Sequence, residues 1–179
     1  MIGGIATRRG TVDDVDTILA NVQSGFDSYG VFAPLGWVAP DATAGRDRTV
    51  ERLADPRTWA MLALSGGSPV GHIAFVAGRE RSVGEPRRAD AERELIPRLC
   101  HLWQLFVLPE WWGRGVAPLL HDAATGVMRA QGYARARLFT PSLHARARRF
   151  YERRGWTVTG EEWSEDLTLM LTEYRLVLG

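Results

Sequence analysis

The sequence predicts a mixed α/β domain, on three observations. Strand-length apolar runs alternate with segments of helical period, a glycine turn joins the two in the middle of the chain, and a Gly-Gly-Ser turn upstream marks an antiparallel hairpin. At 179 residues the chain is long enough for one well-filled core and short for two. A single domain over residues 1–179 is expected.

Residues 5–8 read as a first strand, and Thr11 with Asp14 looks like the cap of a helix striped by Val12, Val15, Ile18, Leu19 and Val22. From residue 25 to 41 the period is lost, and Phe26, Tyr29, Phe32 and Trp37 sit among glycines and prolines. Such aromatics form either a satellite of the core or the wall of a substrate pocket. A second helix is expected over 42–53, with Arg46, Arg48 and Arg52 on its wet side. Two strands follow, 58–65 and 69–78, and the turn Gly66-Gly67-Ser68 pairs them antiparallel. Residues 79–98 are dense in charge and carry Pro86 and Pro97, which fits a solvated loop, a lid, or a loop with a helical piece over 89–95.

The chain is organised around residues 105–131. The run Leu102, Trp103, Leu105, Phe106 and Val107 reads as a buried strand that stops at Pro109. A turn, Trp112-Gly113-Arg114-Gly115-Val116-Ala117, leads into a helix whose face is Val116, Leu119, Leu120, Ala123, Ala124, Val127 and Met128. Pro118 suits its first turn and Gly132 its end. A strand, a glycine turn and a helix N-terminus make an anion site, because the backbone approaches closely and first-turn N–H groups lack intrahelical partners. The competing reading is a plain tight connection. Downstream, arginine alternates with apolar residues over 135–139, a strand with one buried face, and Pro141 and Ser142 break it. A helix over 144–154 puts Ala147, Phe150 and Tyr151 on one face and closes at Gly155. Residues 156–162 and 167–178 read as two last strands.

Composition excludes several classes. With 22 basic and 21 acidic residues the net charge of +1 gives no global pull toward nucleic acid or membrane. Every basic residue except the histidines is arginine, which reflects either coding bias or protection of a lysine-modifying enzyme from itself. The single cysteine, Cys100, permits no internal disulfide, and no zinc-ligand spacing occurs, so no metal is expected and a reducing cytoplasm is the expected home. The N-terminal stretch lacks the apolar core of a signal peptide, and no run is apolar and long enough to span a bilayer.

Two stretches, in order, resemble the motifs of the GCN5-related N-acetyltransferases (GNAT), which move an acetyl group from acetyl-CoA to an amine. The family's glycine loop, Gln/Arg-x-x-Gly-x-Gly/Ala, is matched from Trp112 to Ala117, and its later Asn-x-x-Ala-x-x-x-Tyr-x-x-x-Gly-Phe/Trp is matched from His144 through Ala147, Tyr151 and Gly155 to Trp156. Trp112 replaces the usual Gln or Arg, and His144 the usual Asn. The resemblance implies a GNAT-like, mostly antiparallel sheet of six to seven strands that splays at its centre, flanked by about four helices. It implies acetyl-CoA as cofactor, held by Leu105, Phe106, Val107, Trp112, Gly113, Arg114, Gly115, Val116, Ala117, His144 and Arg146.

Acetyl transfer requires a deprotonated amine, a donor for the tetrahedral oxyanion and an acid for the leaving thiolate. The resemblance assigns the acid to Tyr151, whose other reading is a core tyrosine. The base would be His101, for which polar edging of a strand is the other reading, with Glu161 or Glu162 acting through water, or no protein base, as alternatives. The oxyanion donor would be the backbone N–H of Leu105 or Val107. Phe26, Tyr29 and Phe32 border the acceptor site in this family, and an acidic turn holding Glu161 and Glu162 would attract a cationic amine if it overhangs that site. Arginines 135, 137, 146, 148 and 149 crowd one region, suited to the 3′-phosphate of coenzyme A, with nucleic acid the rival ligand. Three functions stay open: acetylation of a small-molecule amine by direct attack in a ternary complex, acetylation of a protein, and non-catalytic acyl-CoA binding. The expected partner is the small molecule, with the chain acting as monomer or homodimer.

Overall fold

The structure is a computed structural model and describes residues 4–80 and 93–179. Its strands are β1 (Ile5–Arg9), β2 (Trp59–Ser65), β3 (Ser68–Arg79), β4 (Leu95–Val107), β5 (Arg135–Pro141), β6 (Thr157–Ser164) and β7 (Leu169–Val177). The α-helices are α1 (Val15–Ser28), α2 (Arg46–Ala54), α3 (Val116–Ala130) and α4 (Ala145–Glu152). The strands form one sheet in the order β1-β2-β3-β4-β5-β7-β6. Only β4 and β5 run parallel; every other pair is antiparallel. The expected α/β architecture, mostly antiparallel and splayed, is the one observed.

Two apolar clusters fix which helices cover which face. Val116, Leu120, Ala124 and Met128 of α3 pack with Ile73, Phe75, Cys100, Leu102, Leu138 and Tyr174 of the sheet, and Tyr151 of α4 joins them. Leu120 and Met128 are 0% exposed, so each contributes about 1.5–3 kcal/mol by leaving water. On the opposite face Val15, Ile18, Leu19 and Val22 of α1 pack with Val50 and Leu53 of α2 and with Phe106.

The cap of α1 is as expected. Thr11 N–H donates to Asp14 Oδ2 at 2.9 Å, and Arg8 grips the same carboxylate with two bonds of 2.8 and 2.6 Å. The helix then runs further than its stripe suggests, through Gly25 and Phe26 to Ser28, so the segment over 25–41 begins inside it. Packing overrides the glycine here, because the Phe106 ring lies against the bare Cα of Gly25 and leaves no room for a Cβ. At α2, Arg52 is not on the wet side: its guanidinium stacks 4.7 Å above the Trp103 ring.

Three more expectations are corrected by the sheet. β4 starts at Leu95, within the stretch read as a charged loop. It tolerates Pro97 because the ladder is already irregular there: Arg98 has φ 57, and the register with β3 shifts between Ala77 and Arg79. The expected helical piece over 89–95 falls mostly outside the described residues, and its last residue is the first of β4. β5 is buried on both faces, with Ala136 at 0%, Arg137 at 6% and Leu138 at 1% exposure. Arg137, in the middle of a central strand, is covered by its neighbours.

Two irregularities in β4 build the cleft. The pairing of Phe75 with Leu102 and of Ala74 with Gln104 leaves Trp103 as an extra residue, so the faces switch at this bulge. Cys100 and Leu102 before it face α3, and so do Leu105 and Val107 after it, while Gln104 and Phe106 face α1. Beyond it, β4 and β5 part company: they pair only from Leu99 with Arg135 to His101 with Arg137.

Candidate active site

The parted strands open a cleft of about 1260 Å³, larger than the roughly 300–1,000 Å³ of ordinary small-molecule sites. Its floor is the free edge of β4. Leu108 N–H donates to Val70 on the β3 side at 3.0 Å, so alternation along the strand turns the N–H groups of Val107 and Leu105 toward the gap. The Val107 carbonyl on that edge accepts from Trp112 Nε1 at 2.7 Å, which ties the strand end to the glycine loop.

That loop adopts the backbone its glycines permit. Gly113 has φ 75 and Gly115 φ 82, a left-handed region costly to residues with a Cβ. Gly115 is the N-cap of α3, and the first-turn N–H groups beyond it have no intrahelical acceptor. Trp112, Gly113, Gly115, Val116 and Ala117 all line the cleft. Arg146 of α4 stacks 4.7 Å above the Trp112 ring, so a cation stands over this loop although Trp112 itself carries no charge. Arg114 points elsewhere and stacks on Trp111 at 5.1 Å. Backbone donors, a helix N-terminus and a guanidinium fit a diphosphate.

Of the five arginines the sequence singled out, Arg146 and Arg149 reach the cleft, and three others join them. Arg129, Arg146, Arg149, Arg153 and Arg154 line it. Arg137 is spent on the Arg79 carbonyl at 3.0 Å, Arg148 on Tyr174 Oη at 3.1 Å, and Arg135 is exposed on β5. Arg153 and Arg154 were legible only as the wet face of α4, and Arg129 only as the last turn of α3. Arg154 pairs with Asp122, next to His121. His121 Nε2 accepts from Trp156 Nε1 at 2.9 Å, so its Nδ1 carries the proton and donates to Asp122 Oδ1 at 3.4 Å.

At the other end the walls are aromatic. Tyr29, Trp103, Phe106, Phe139, His144 and Tyr151 line it. Tyr151 is 7% exposed, with Phe150, Trp156 and Tyr174 at ring distances of 5.3, 5.8 and 6.1 Å. Burial pushes its phenol well above the ordinary range, with Tyr29 adding to the shift. Tyr151 is thus a core residue that also lines the cleft. His144 stacks on Phe32 at 4.7 Å and meets Tyr29 edge-on at 5.5 Å. Burial, helped by Arg146, lowers its pKa to about 4, so it is neutral at pH 7.

Other expected site residues lie outside the lining. Phe26 supports Phe106 at 6.0 Å, and Phe32 backs His144. His101 sits behind Phe139, edge-on at 5.8 Å, and its Nδ1 donates to the Arg137 carbonyl at 3.1 Å. Glu161 and Glu162 are on the edge strand β6, where Glu161 accepts from Thr172 Oγ1 at 3.2 Å. One polar group in the lining had no signal in sequence order. Gln104 Oε1 lies 3.1 Å from His72 Nε2, and His72 Nδ1 lies 3.3 Å from Asn21 Nδ2, three residues that only the β3–β4 register and the position of α1 bring together.

Comparison with known proteins decides the family. The family model described as Acetyltransferase (GNAT) family matches residues 26–156. The chain belongs to the GNAT family. Among curated relatives, proteins named uncharacterized N-acetyltransferases from Mycobacterium bovis and Mycobacterium tuberculosis are 28% identical over 120 residues. That match spans 67% of this chain and 66% of theirs, just under two thirds of the relatives' length. Solved structures share the GNAT fold at lower identity. A GCN5-related N-acetyltransferase from Rhodopseudomonas palustris superposes with a TM-score of 0.73 at 18% identity, over 99% of this chain and 98% of that one. PaiA N-acetyltransferase from Thermoplasma acidophilum, solved with coenzyme A, gives 0.65 at 15% identity, over 96% and 99%. The protein yncA from Salmonella typhimurium, solved with acetyl-CoA, gives 0.67 at 17% identity, over 99% and 95%.

Proposed function

We propose that this GNAT chain transfers the acetyl group of acetyl-CoA to a primary amine of a small molecule, by direct attack within a ternary complex. The observation that carries the reading is the parting of β4 from β5 beyond His101 and Arg137, which exposes two β4 N–H groups between the glycine loop and Tyr151.

Acetyl-CoA, when bound, supplies a thioester carbon open to attack and a thiolate that departs. The chain's own groups divide the remaining work. The first-turn N–H groups of α3 hold the diphosphate, and Arg146 over Trp112 adds charge beside it. The N–H groups of Leu105 and Val107 would hold the pantetheine arm and the thioester carbonyl, one of them serving as the oxyanion donor. Tyr151 keeps its proton at neutral pH because burial penalises its phenolate, and presents it to the departing sulfur, whose thiolate the same apolar walls penalise. His101 takes the amine's proton through water: with Nδ1–H committed to Arg137, Nε2 is its basic nitrogen. Cys100 does not compete as a nucleophile, since burial pushes its thiol up to about 12.

The test is acetyl transfer from acetyl-CoA over a panel of primary amines and lysine peptides. Turnover of small amines supports the reading. Turnover of peptides alone assigns the protein-acetylating function instead, and binding of acetyl-CoA without turnover assigns a binding module.

A further inference from the structure

The cleft ends, on the α1 side, in an amide whose orientation is fixed from behind. Asn21 Nδ2 can only donate, so His72 Nδ1, 3.3 Å away, accepts. The single ring proton of a neutral imidazole is then on Nε2, which donates to Gln104 Oε1 at 3.1 Å. The two contacts are independent and demand the same tautomer. Burial keeps His72 in that state by lowering its pKa to about 4. Asn21, His72 and Gln104 are 5%, 0% and 8% exposed, so the chain is shielded from water except where Gln104 meets the cleft. With Oε1 committed, the Gln104 NH2 group is the end left for the cleft, and it makes no hydrogen bond to protein among the described residues.

The surroundings of that donor limit what it can meet. The same lining holds the aromatic rings of Tyr29, Phe106 and Phe139, and Gly25 and Ser28 of α1. Among the described residues the only acid in the lining is Asp122, which is paired with Arg154 at the far end. The lining therefore holds, among the described residues, no unpaired carboxylate for a second positive charge. A donor on the α1 face also stands apart from the Leu105 N–H, which emerges at the strand edge.

Resting on the transferase reading above, we propose that Gln104 is a specificity residue that donates to a carbonyl-type oxygen of the acceptor, positioned by His72 and Asn21. The acceptor class is then an aromatic primary amine with a carbonyl oxygen beside the amine, in preference to a polyamine. The shared chemistry is an oxygen acceptor, and its other source would be the thioester carbonyl of acetyl-CoA.

Steady-state rates of the full chain with phenylalaninamide, 2-phenylethylamine and spermidine separate these. The expected order of kcat/KM places phenylalaninamide about tenfold above 2-phenylethylamine, one hydrogen bond's worth, with spermidine last. Gln104→Leu removes that difference by raising KM for phenylalaninamide alone, and leaves KM for acetyl-CoA unmoved. Gln104→Met, close in size and unable to donate, raises KM for phenylalaninamide likewise. Asn21→Ala shifts the same KM in the same direction. Melting curves confirm that each variant folds, and either Gln104 variant suffices if the other does not. An unchanged substrate ratio in the Gln104 variants, an equal fall in kcat for both aromatic amines, or a wild-type preference for spermidine overturns the inference while leaving the transferase standing. No turnover with any amine overturns both.

Discussion

The Nδ1–H of His101 donates to the carbonyl of Arg137 at 3.1 Å, and the same two residues are the last pair before β4 and β5 separate. One side chain thus marks the point where the sheet opens and fixes its own tautomer there. His101→Gln keeps a donor for Arg137 but removes the basic nitrogen. A catalytic role predicts a fall in kcat of about 100-fold, with unchanged affinity for coenzyme A. Rescue of the rate by glutamine would reduce His101 to a strut.

Tyr151→Phe removes one oxygen and leaves the packing against Phe150, Trp156 and Tyr174. The expected result is a drop in kcat of about 100-fold or more, with the melting temperature and KM for acetyl-CoA nearly unchanged. A large loss of melting temperature with little effect on rate would return this residue to the core.

Arg149 and Arg153 lie one helical turn apart and line the cleft, and neither has an ion pair among the described residues. They are free to meet a phosphate. Replacing both with alanine should raise KM for acetyl-CoA about tenfold or more, in keeping with hydrogen bonds to charged groups. KM for the donor lacking its 3′-phosphate should stay unchanged. Equal effects on both donors would move the 3′-phosphate elsewhere.

Two histidines make the fold acid-sensitive. His72 and His144 have pKa values lowered to about 4 by burial, against about 6.5 in an unfolded chain. Between these values the unfolded chain binds more protons, so stability is fully present above about pH 6.5 and is lost as pH falls toward 4. Melting temperature should decline over that window. His72→Gln should flatten the decline, and an unaltered slope in this variant would contradict the assignment.

The sequence carried the middle of this molecule well, because Gly113 and Gly115 need positive φ and Val116 to Met128 repeat with helical period, both local signals. What escaped was non-local. Gln104, His72 and Asn21 lie on three elements, and nothing in their order announces that they touch. Arg137 alternates as an exposed residue should, yet it sits in the middle of the central strand β5 and is buried. The start of β4 was hidden by Pro97 and Arg98, whose irregular backbone the neighbouring strand accommodates. Gly25 looked like the end of α1, but the ring of Phe106 requires a glycine there and the helix continues.

The central claim is that the backbone around residues 113–117 and the parted edge of β4 together hold coenzyme A. Titration calorimetry of the full chain with coenzyme A, beside Gly113→Val, tests it most directly. One-to-one binding with a rise in melting temperature is expected, weakened at least tenfold in the variant, where a β-branched residue meets φ 75. No heat and no shift in melting temperature with the unaltered chain would contradict it.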